Sequence, residues 1–115
     1  MINIVSSSRY RINRKKLKAK SEEFLMSAGI GDRTVNIVFV GRNKMREVAN
    51  TYKNEDIALP VLSFPFKEVV VDNEALLGEI FICYPQAVLL AAERNRKVEE
   101  TILSLIKHGV ENLLK

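Results

Sequence analysis

The chain has 115 residues, 47% of them hydrophobic and 28% charged, which fits one domain spanning 1–115 with one core and leaves no room for two. No apolar run reaches the roughly 20 residues of a membrane span, and the basic N-terminal stretch lacks a signal peptide's apolar segment, so secretion is not expected. The net charge of +4 and pI of about 9.3 suit a polyanionic partner. Cys83 is the single cysteine. It lies in an apolar run and reads as a small core residue in a reducing cytoplasm.

In chain order, Ile2-Asn3-Ile4-Val5 predicts a first strand. Asn13 is the expected N-cap of a helix through about Ala28, with Leu17, Phe24, Leu25 and Ala28 on one side and Gly29 as its stop. Thr34 to Val40 is rich in β-branched residues and predicts a strand that ends at Gly41. Asn43 is the expected cap of a second helix, with Met45, Val48, Ala49 and Tyr52 on one side. Lys53 to Pro60 reads as a loop. Val61 to Phe66 reads as extended, and Pro65 within it calls for an edge position or a bulge. Val69-Val70-Val71 is a further extended piece and Asp72-Asn73-Glu74 a turn. Gly78 to Cys83 predicts a strand, followed by a helix opened by Pro85 and running from Gln86 to about Asn95. The last helix is expected from about Val98 to Leu114, burying Val98, Ile102, Leu105, Ile106, Gly109 and Leu113. This order predicts an α+β fold, with a single mixed sheet of about four strands covered by helices.

The positive charge is clustered. Residues 9 to 20 carry Arg9, Arg11, Arg14, Lys15, Lys16, Lys18 and Lys20 with no acid among them, and smaller groups stand at Arg42, Lys44 and Arg46 and at Arg94, Arg96 and Lys97. Clustered cations suit phosphate, because neutralised phosphates release their condensed counterions. Arg14, Lys15, Lys18, Arg42, Arg46 and Arg94 are the candidate phosphate contacts. A solvated helix face explains the same charges equally well. Aromatic residues are few and not interleaved with the basic ones, which argues against a platform for stacking single-stranded bases.

On the last helix Thr101, Ser104, His108, Glu111 and Lys115 form a polar stripe beside the apolar one, with His108 about 60° from the Leu105 column. This is expected to hold His108 at the edge of the buried face, within reach of a cleft. Asn112 stands four residues on, on the same face. Two histidines at that spacing make a good zinc platform, whereas asparagine offers only a neutral oxygen. Without further context, His108 reads as a histidine serving the last carbonyls of its helix.

Several motifs occur in order: Tyr52-Lys53-Asn54-Glu55-Asp56, Val61-Leu62-Ser63-Phe64-Pro65-Phe66, Leu77-Gly78-Glu79-Ile80 and Leu105-Ile106-Lys107-His108-Gly109. Together they resemble the YbeY family of bacterial rRNA maturation factors, described as metal-dependent endoribonucleases specific for single strands. The family pattern is Tyr-Arg-x-x-Asp-x-Pro-Thr-Asp-Val-Leu-Ser-Phe-Pro, then Leu-Gly-Asp-Ile, then His-Gly-x-x-His-Leu-x-Gly-Tyr-Asp-His. The resemblance implies a YbeY-like fold and a zinc-type ion on three histidines, which would lower the pKa of bound water. His108 falls on the first of these, Asn112 on the second, and the third would lie three residues beyond Lys115. Lys53 takes the place of the family's arginine and loses its bidentate geometry. Ala58-Leu59-Pro60 replaces Pro-Thr-Asp, and Glu79 replaces an aspartate, while Asp56, Ser63 and Gly78 match.

Three readings follow from the resemblance. In the first, the chain is an rRNA-processing, ribosome-associated factor whose cleft is lined by His108, Lys53 and Ser63. His108 would act as general acid or base and Lys53 as an electrostatic clamp, and the RNA 2′-OH could supply the nucleophile without a metal. In the second, it is a non-catalytic module that binds RNA or the small ribosomal subunit. In the third, it is a piece of a longer protein, which a Gly-Tyr-Asp-His-like continuation past Lys115 would mark. For the cofactor, one histidine does not hold zinc at useful affinity. A set of His108, Glu111 and Asn112 crowds one helical turn, and Mg²⁺ on substrate phosphate remains open.

Overall fold

Runs of apolar and β-branched residues alternating with helices give the described residues eight elements. The computed structural model describes residues 1–71 and 74–115. They form strand β1 (Ile2–Val5), helix α1 (Arg14–Ser27), β2 (Arg33–Val40), α2 (Arg42–Lys53), β3 (Val61–Val71), β4 (Glu74–Cys83), α3 (Tyr84–Glu93) and α4 (Val98–Leu113). The strands make one sheet in the order β1-β2-β4-β3. β1 and β4 run parallel to β2, and β3 runs antiparallel to β4. The fold is α+β, with a single mixed four-stranded sheet and four helices.

Alternation along the strands gives the sheet two apolar faces. Ile2 of β1, Val35, Ile37 and Phe39 of β2, and Ile80 and Ile82 of β4 pack with Leu17 and Leu25 of α1, Ala87 of α3, and Ile102, Ile106, Val110 and Leu113 of α4. On the other face, Leu62 of β3 and Cys83 of β4 pack with Met45, Val48 and Ala49 of α2, flanked by Phe64 and Phe81. Each fully buried aliphatic side chain contributes roughly 1.5–3 kcal/mol through the water it excludes. α2 and α4 therefore lie on opposite faces, with the edge strand β3 between them.

The helix ends follow local chemistry. Asn13 accepts a hydrogen bond from the Lys16 N–H at 3.1 Å, the capping expected of it. α1 closes with Gly29 at φ 77° and the Ile30 N–H on the Leu25 carbonyl at 2.9 Å, a left-handed terminator that glycine adopts freely.

The expected boundaries shift in several places. α2 starts at Arg42 with Gly41 as its N-cap, so Asn43 lies inside the helix and does not cap it. Gly41 is extended there and leaves its cap without a side-chain bond. The two extended pieces expected around Pro65 join as the single strand β3. Its pairing with β4 shifts between Pro65 and Val69, and β3 is an edge strand, so Pro65 has both the edge and the irregularity it needs. β4 begins at Glu74, well before Gly78, and α3 begins at Tyr84 and ends at Glu93. The turn expected over Asp72 and Asn73 falls on positions outside the described residues.

Candidate functional site

The motif residues converge where α4 docks on the β3–β4 edge. The Ser63 hydroxyl donates to the Gly109 carbonyl of α4 at 3.1 Å. A Cβ on Gly109 would stand 2.9 Å from Ile80 Cγ2 and 3.1 Å from Ser63 Oγ. A Cβ on Gly78 would stand 2.5 Å from Leu113 Cδ2 and 2.6 Å from the Phe64 carbonyl oxygen. The glycines of Leu-Gly-Glu-Ile and His-Gly thus let helix and sheet approach more closely than any side chain allows. Ser63, expected in the cleft, lies in this joint with its hydroxyl already donating.

His108 immediately precedes Gly109 and is exposed, farther out than the edge of the buried face expected for it, while Leu105 and Gly109 on either side are buried. Asn112 is half-buried and Glu111 exposed. The donors here do not fit a three-histidine ion site. His108 is the chain's one histidine, Asn112 is a weak neutral donor, and among the described residues no group of three His, Cys, Asp or Glu side chains converges to hold a metal.

Lys53 ends α2 on the opposite face and is exposed. Beside it Tyr52, which shares a side of the helix with the buried Met45, Val48 and Ala49, is 67% exposed. Its ring rests edge-on against Phe64 at 5.0 Å between centroids, and Phe64 meets Phe81 in the same manner at 5.7 Å. Asp56 pairs loosely with Arg46 at 3.9 Å. Glu79 sits in β4 between Asn36 of β2 and Phe64 of β3, and burial pushes its carboxyl above the usual range. Ser63 and the neighbour of His108 are brought together, while Lys53 stands exposed at the end of α2, the helix that packs on the other face of the sheet. Cys83 is fully buried. Burial pushes its thiol up, against smaller lowering effects from a Gln86 backbone bond and the Arg42 charge, so it behaves as a core residue and not a nucleophile.

Compared with known proteins, the chain matches the family profile described as Endoribonuclease YbeY over residues 3–114. The chain belongs to the YbeY family. A relative named Endoribonuclease YbeY from Sulfurihydrogenibium sp. (strain YO3AOP1) is 30% identical over 103 residues, covering 90% of this chain and 68% of the relative. Another of that name, from Thermotoga sp. (strain RQ2), is 30% identical over 113 residues, covering 98% of this chain and 71% of the relative. The solution structure of TM1509 from Thermotoga maritima superposes with a TM-score of 0.70 at 30% identity, covering 100% of this chain and 73% of that one.

On this YbeY frame the basic residues fall into separate groups. Arg14, Lys15 and Lys18 of α1 line a groove of about 330 Å³ against Ile2, Asn3 and Ile4 of β1. Arg14 is committed to the backbone there, donating to the Ile4 carbonyl at 3.1 Å and the Ser6 carbonyl at 2.6 Å. The Ile2 N–H meets Glu22 Oε1 at 3.4 Å. Side chains of α1 thereby blunt the open edge of β1, which would otherwise invite strand pairing. Arg42 and Arg46 belong to α2 on the other face. The Tyr10 hydroxyl lies 3.1 Å from where a Gly41 Cβ would stand, and Tyr10 stacks on Tyr84 at 4.8 Å, so the basic segment passes beside the start of α2. Arg94 stands at the end of α3, where a hollow of about 560 Å³ is lined by Arg94, Arg96, Thr101 and Ser104. The sequence marks Arg94 and Arg96 as cations and Thr101 and Ser104 as part of a polar stripe, but does not bring the two pairs together. The one signal of their grouping was two hydroxyls three residues apart just after a run of cations. No helix among the described residues is long and apolar enough to cross a membrane.

Proposed function

We propose that this YbeY-family chain is a cytoplasmic factor of rRNA maturation, working as one domain that binds rRNA or the small ribosomal subunit through its basic surface. The observation that carries this reading is the family match over residues 3–114 combined with the α1–β1 groove. Among the described residues no carboxylate lies within ion-pair distance of Lys15 or Lys18, so both cations are free for phosphate. Lys16, by contrast, is paired with Glu99 at 3.1 Å. Arg14 fixes the groove wall and adds its charge from a held position.

This reading puts binding ahead of zinc-dependent cleavage because Asn112, one helical turn from His108, offers only a neutral oxygen. The second reading is metal-independent cleavage with His108 as acid or base. The exposure of His108 beside the Ser63–Gly109 bond favours it. The placement of Lys53 across the sheet speaks against a shared clamp on the same phosphate.

One experiment separates these readings: single-stranded RNA binding and cleavage, in EDTA, by the intact chain, a Lys15→Glu/Lys18→Glu variant and His108→Ala. The binding reading expects the charge reversal to weaken affinity by on the order of tenfold or more and to flatten the salt dependence, with His108→Ala unchanged. Equal loss of binding in both variants would contradict it. Cleavage that persists in EDTA and disappears in His108→Ala would establish the second reading.

A further inference from the structure

The corner between α3 and α4 carries an unusual combination of groups. α3 ends with Asn95 in the left-handed region at φ 53°. The Arg96 N–H bonds the Ala91 carbonyl at 2.9 Å and the Asn95 N–H bonds the Ala92 carbonyl at 3.2 Å. This paired terminator fixes the backbone on both sides of Asn95, and so fixes where Arg94 and Arg96 leave the chain. Both guanidinium groups then border the same hollow of about 560 Å³, together with Thr101 and Ser104 from the first half of α4.

Thr101 supplies the second, independent observation. It is 2% exposed, and its hydroxyl is buried without a hydrogen-bond partner. A buried hydroxyl in a helix ordinarily bonds back to the carbonyl four residues earlier. Here the hydroxyl makes no such bond, and the Lys97 carbonyl takes only the ordinary ladder bond from the Thr101 backbone N–H at 3.1 Å. Leaving a hydroxyl unpaired away from water is costly, so the orphan calls for an acceptor. The hollow that Thr101 lines provides the place, and two arginines supply the charge that selects an anion. Planar guanidinium donors with hydroxyls alongside match the tetrahedral oxygens of phosphate.

We propose that Arg94, Arg96, Thr101 and Ser104 form a phosphate-binding pocket and, resting on the RNA-binding reading above, that its phosphate belongs to an RNA strand. The arginines neutralise the oxyanion, Ser104 donates from the open side, and Thr101 donates from the buried wall. The pocket is distinct from the α1–β1 groove and from the Ser63–Gly109 joint, so it gives the RNA a second fixed point of contact.

The test is an NMR titration of the intact chain with inorganic phosphate, repeated on Arg94→Gln/Arg96→Gln and on Thr101→Val. Phosphate should shift amide resonances between Arg94 and Ser104, and the double arginine variant should lose about tenfold or more in affinity. Thr101→Val keeps the side-chain shape and removes the orphan hydroxyl. It should bind phosphate several-fold more weakly while melting at a temperature no lower than the parent. A variant that melts lower and binds phosphate normally would show a purely structural threonine and overturn its role. Phosphate shifts elsewhere or nowhere, in a chain that remains folded, would overturn the pocket altogether. A single-stranded RNA titration then identifies the source of the phosphate. Weaker RNA binding by the double arginine variant supports the RNA strand. Unchanged RNA binding with lost phosphate binding overturns it in favour of a small phosphorylated compound. If the intact chain binds phosphate in this corner but no RNA, the RNA-binding reading fails and the pocket survives.

Discussion

Two parts of the same helix behave differently. The face of α4 that meets the sheet matches the family pattern at its closest contacts: Gly109 against Ile80, Leu113 over Gly78, and the Ser63 hydroxyl on a helix carbonyl. The neighbouring face holds an exposed His108, an exposed Glu111 and a half-buried Asn112, and there the metal pattern is not met. The difference is one of constraint. At Gly78 any side chain collides with a backbone oxygen, which cannot turn aside. At an exposed position on α4 a change of residue alters chemistry and leaves the packing alone. Packing therefore constrains the joint more tightly than the side chains beside it, and function has to be argued from the site and not from the frame.

The sharpest way to break that comparison is to put a methyl group into the joint. Gly78→Ala places a Cβ 2.5 Å from Leu113 Cδ2 and 2.6 Å from the Phe64 carbonyl oxygen. Leucine can turn, but the carbonyl belongs to the pairing of β3 with β4. Overpacking of this kind costs about 3 kcal/mol, read as a lowered urea midpoint at constant slope. A loss below about 0.5 kcal/mol, the range of an ordinary surface change, would mean that α4 is not pinned to this edge.

The same contrast governs what could be read from the sequence. Strand β2 and the buried stripe of α4 were legible because Thr34–Val40 is dense in β-branched residues and Ile102, Ile106 and Leu113 repeat with helical period. The α2 start was not. Asn43 is the better capping residue by type, but the chain turns directly out of β2 at Gly41, and path outweighed propensity there. β3 looked like two pieces because Lys67 and Glu68 interrupt the apolar run, and pairing along β4 makes them one strand. In the candidate site, single residues were visible but their grouping was not. Sequence gathers Arg14, Arg42 and Arg94 into one list of cations, while the fold distributes them over α1, α2 and the α3–α4 corner. An orphan hydroxyl such as that of Thr101 is a property of tertiary packing and leaves no mark in the sequence.

A smaller change sharpens the comparison at Ser63. It was expected in the cleft and lies in the joint, donating to the Gly109 carbonyl at 3.1 Å. That carbonyl is inside α4, where the helical ladder supplies it with a further partner. Ser63→Ala should therefore cost only the net value of one hydrogen bond, about 1 kcal/mol in chemical denaturation. RNA affinity should not change. A loss of affinity larger than the loss of stability would return Ser63 to the RNA-contacting surface.

The smallest effect is expected at Glu79, on the side of the sheet away from the joint, and it depends on pH. Burial raises its carboxyl above the ordinary value of 4.5, so between the unfolded and folded values the native state binds more protons than the unfolded one. Stability then falls as pH rises through that interval and stays lower above it. Glu79 thus works against folding at neutral pH, the reverse of a paired carboxylate. Glu79→Gln removes the charge and keeps the shape. It should raise the melting temperature modestly at pH 7, have little effect near pH 4, and flatten the slope between them. Melting curves across that range decide the matter. A variant less stable than the parent at pH 7 would show that the carboxylate is held by a favourable partner and that its burial is compensated.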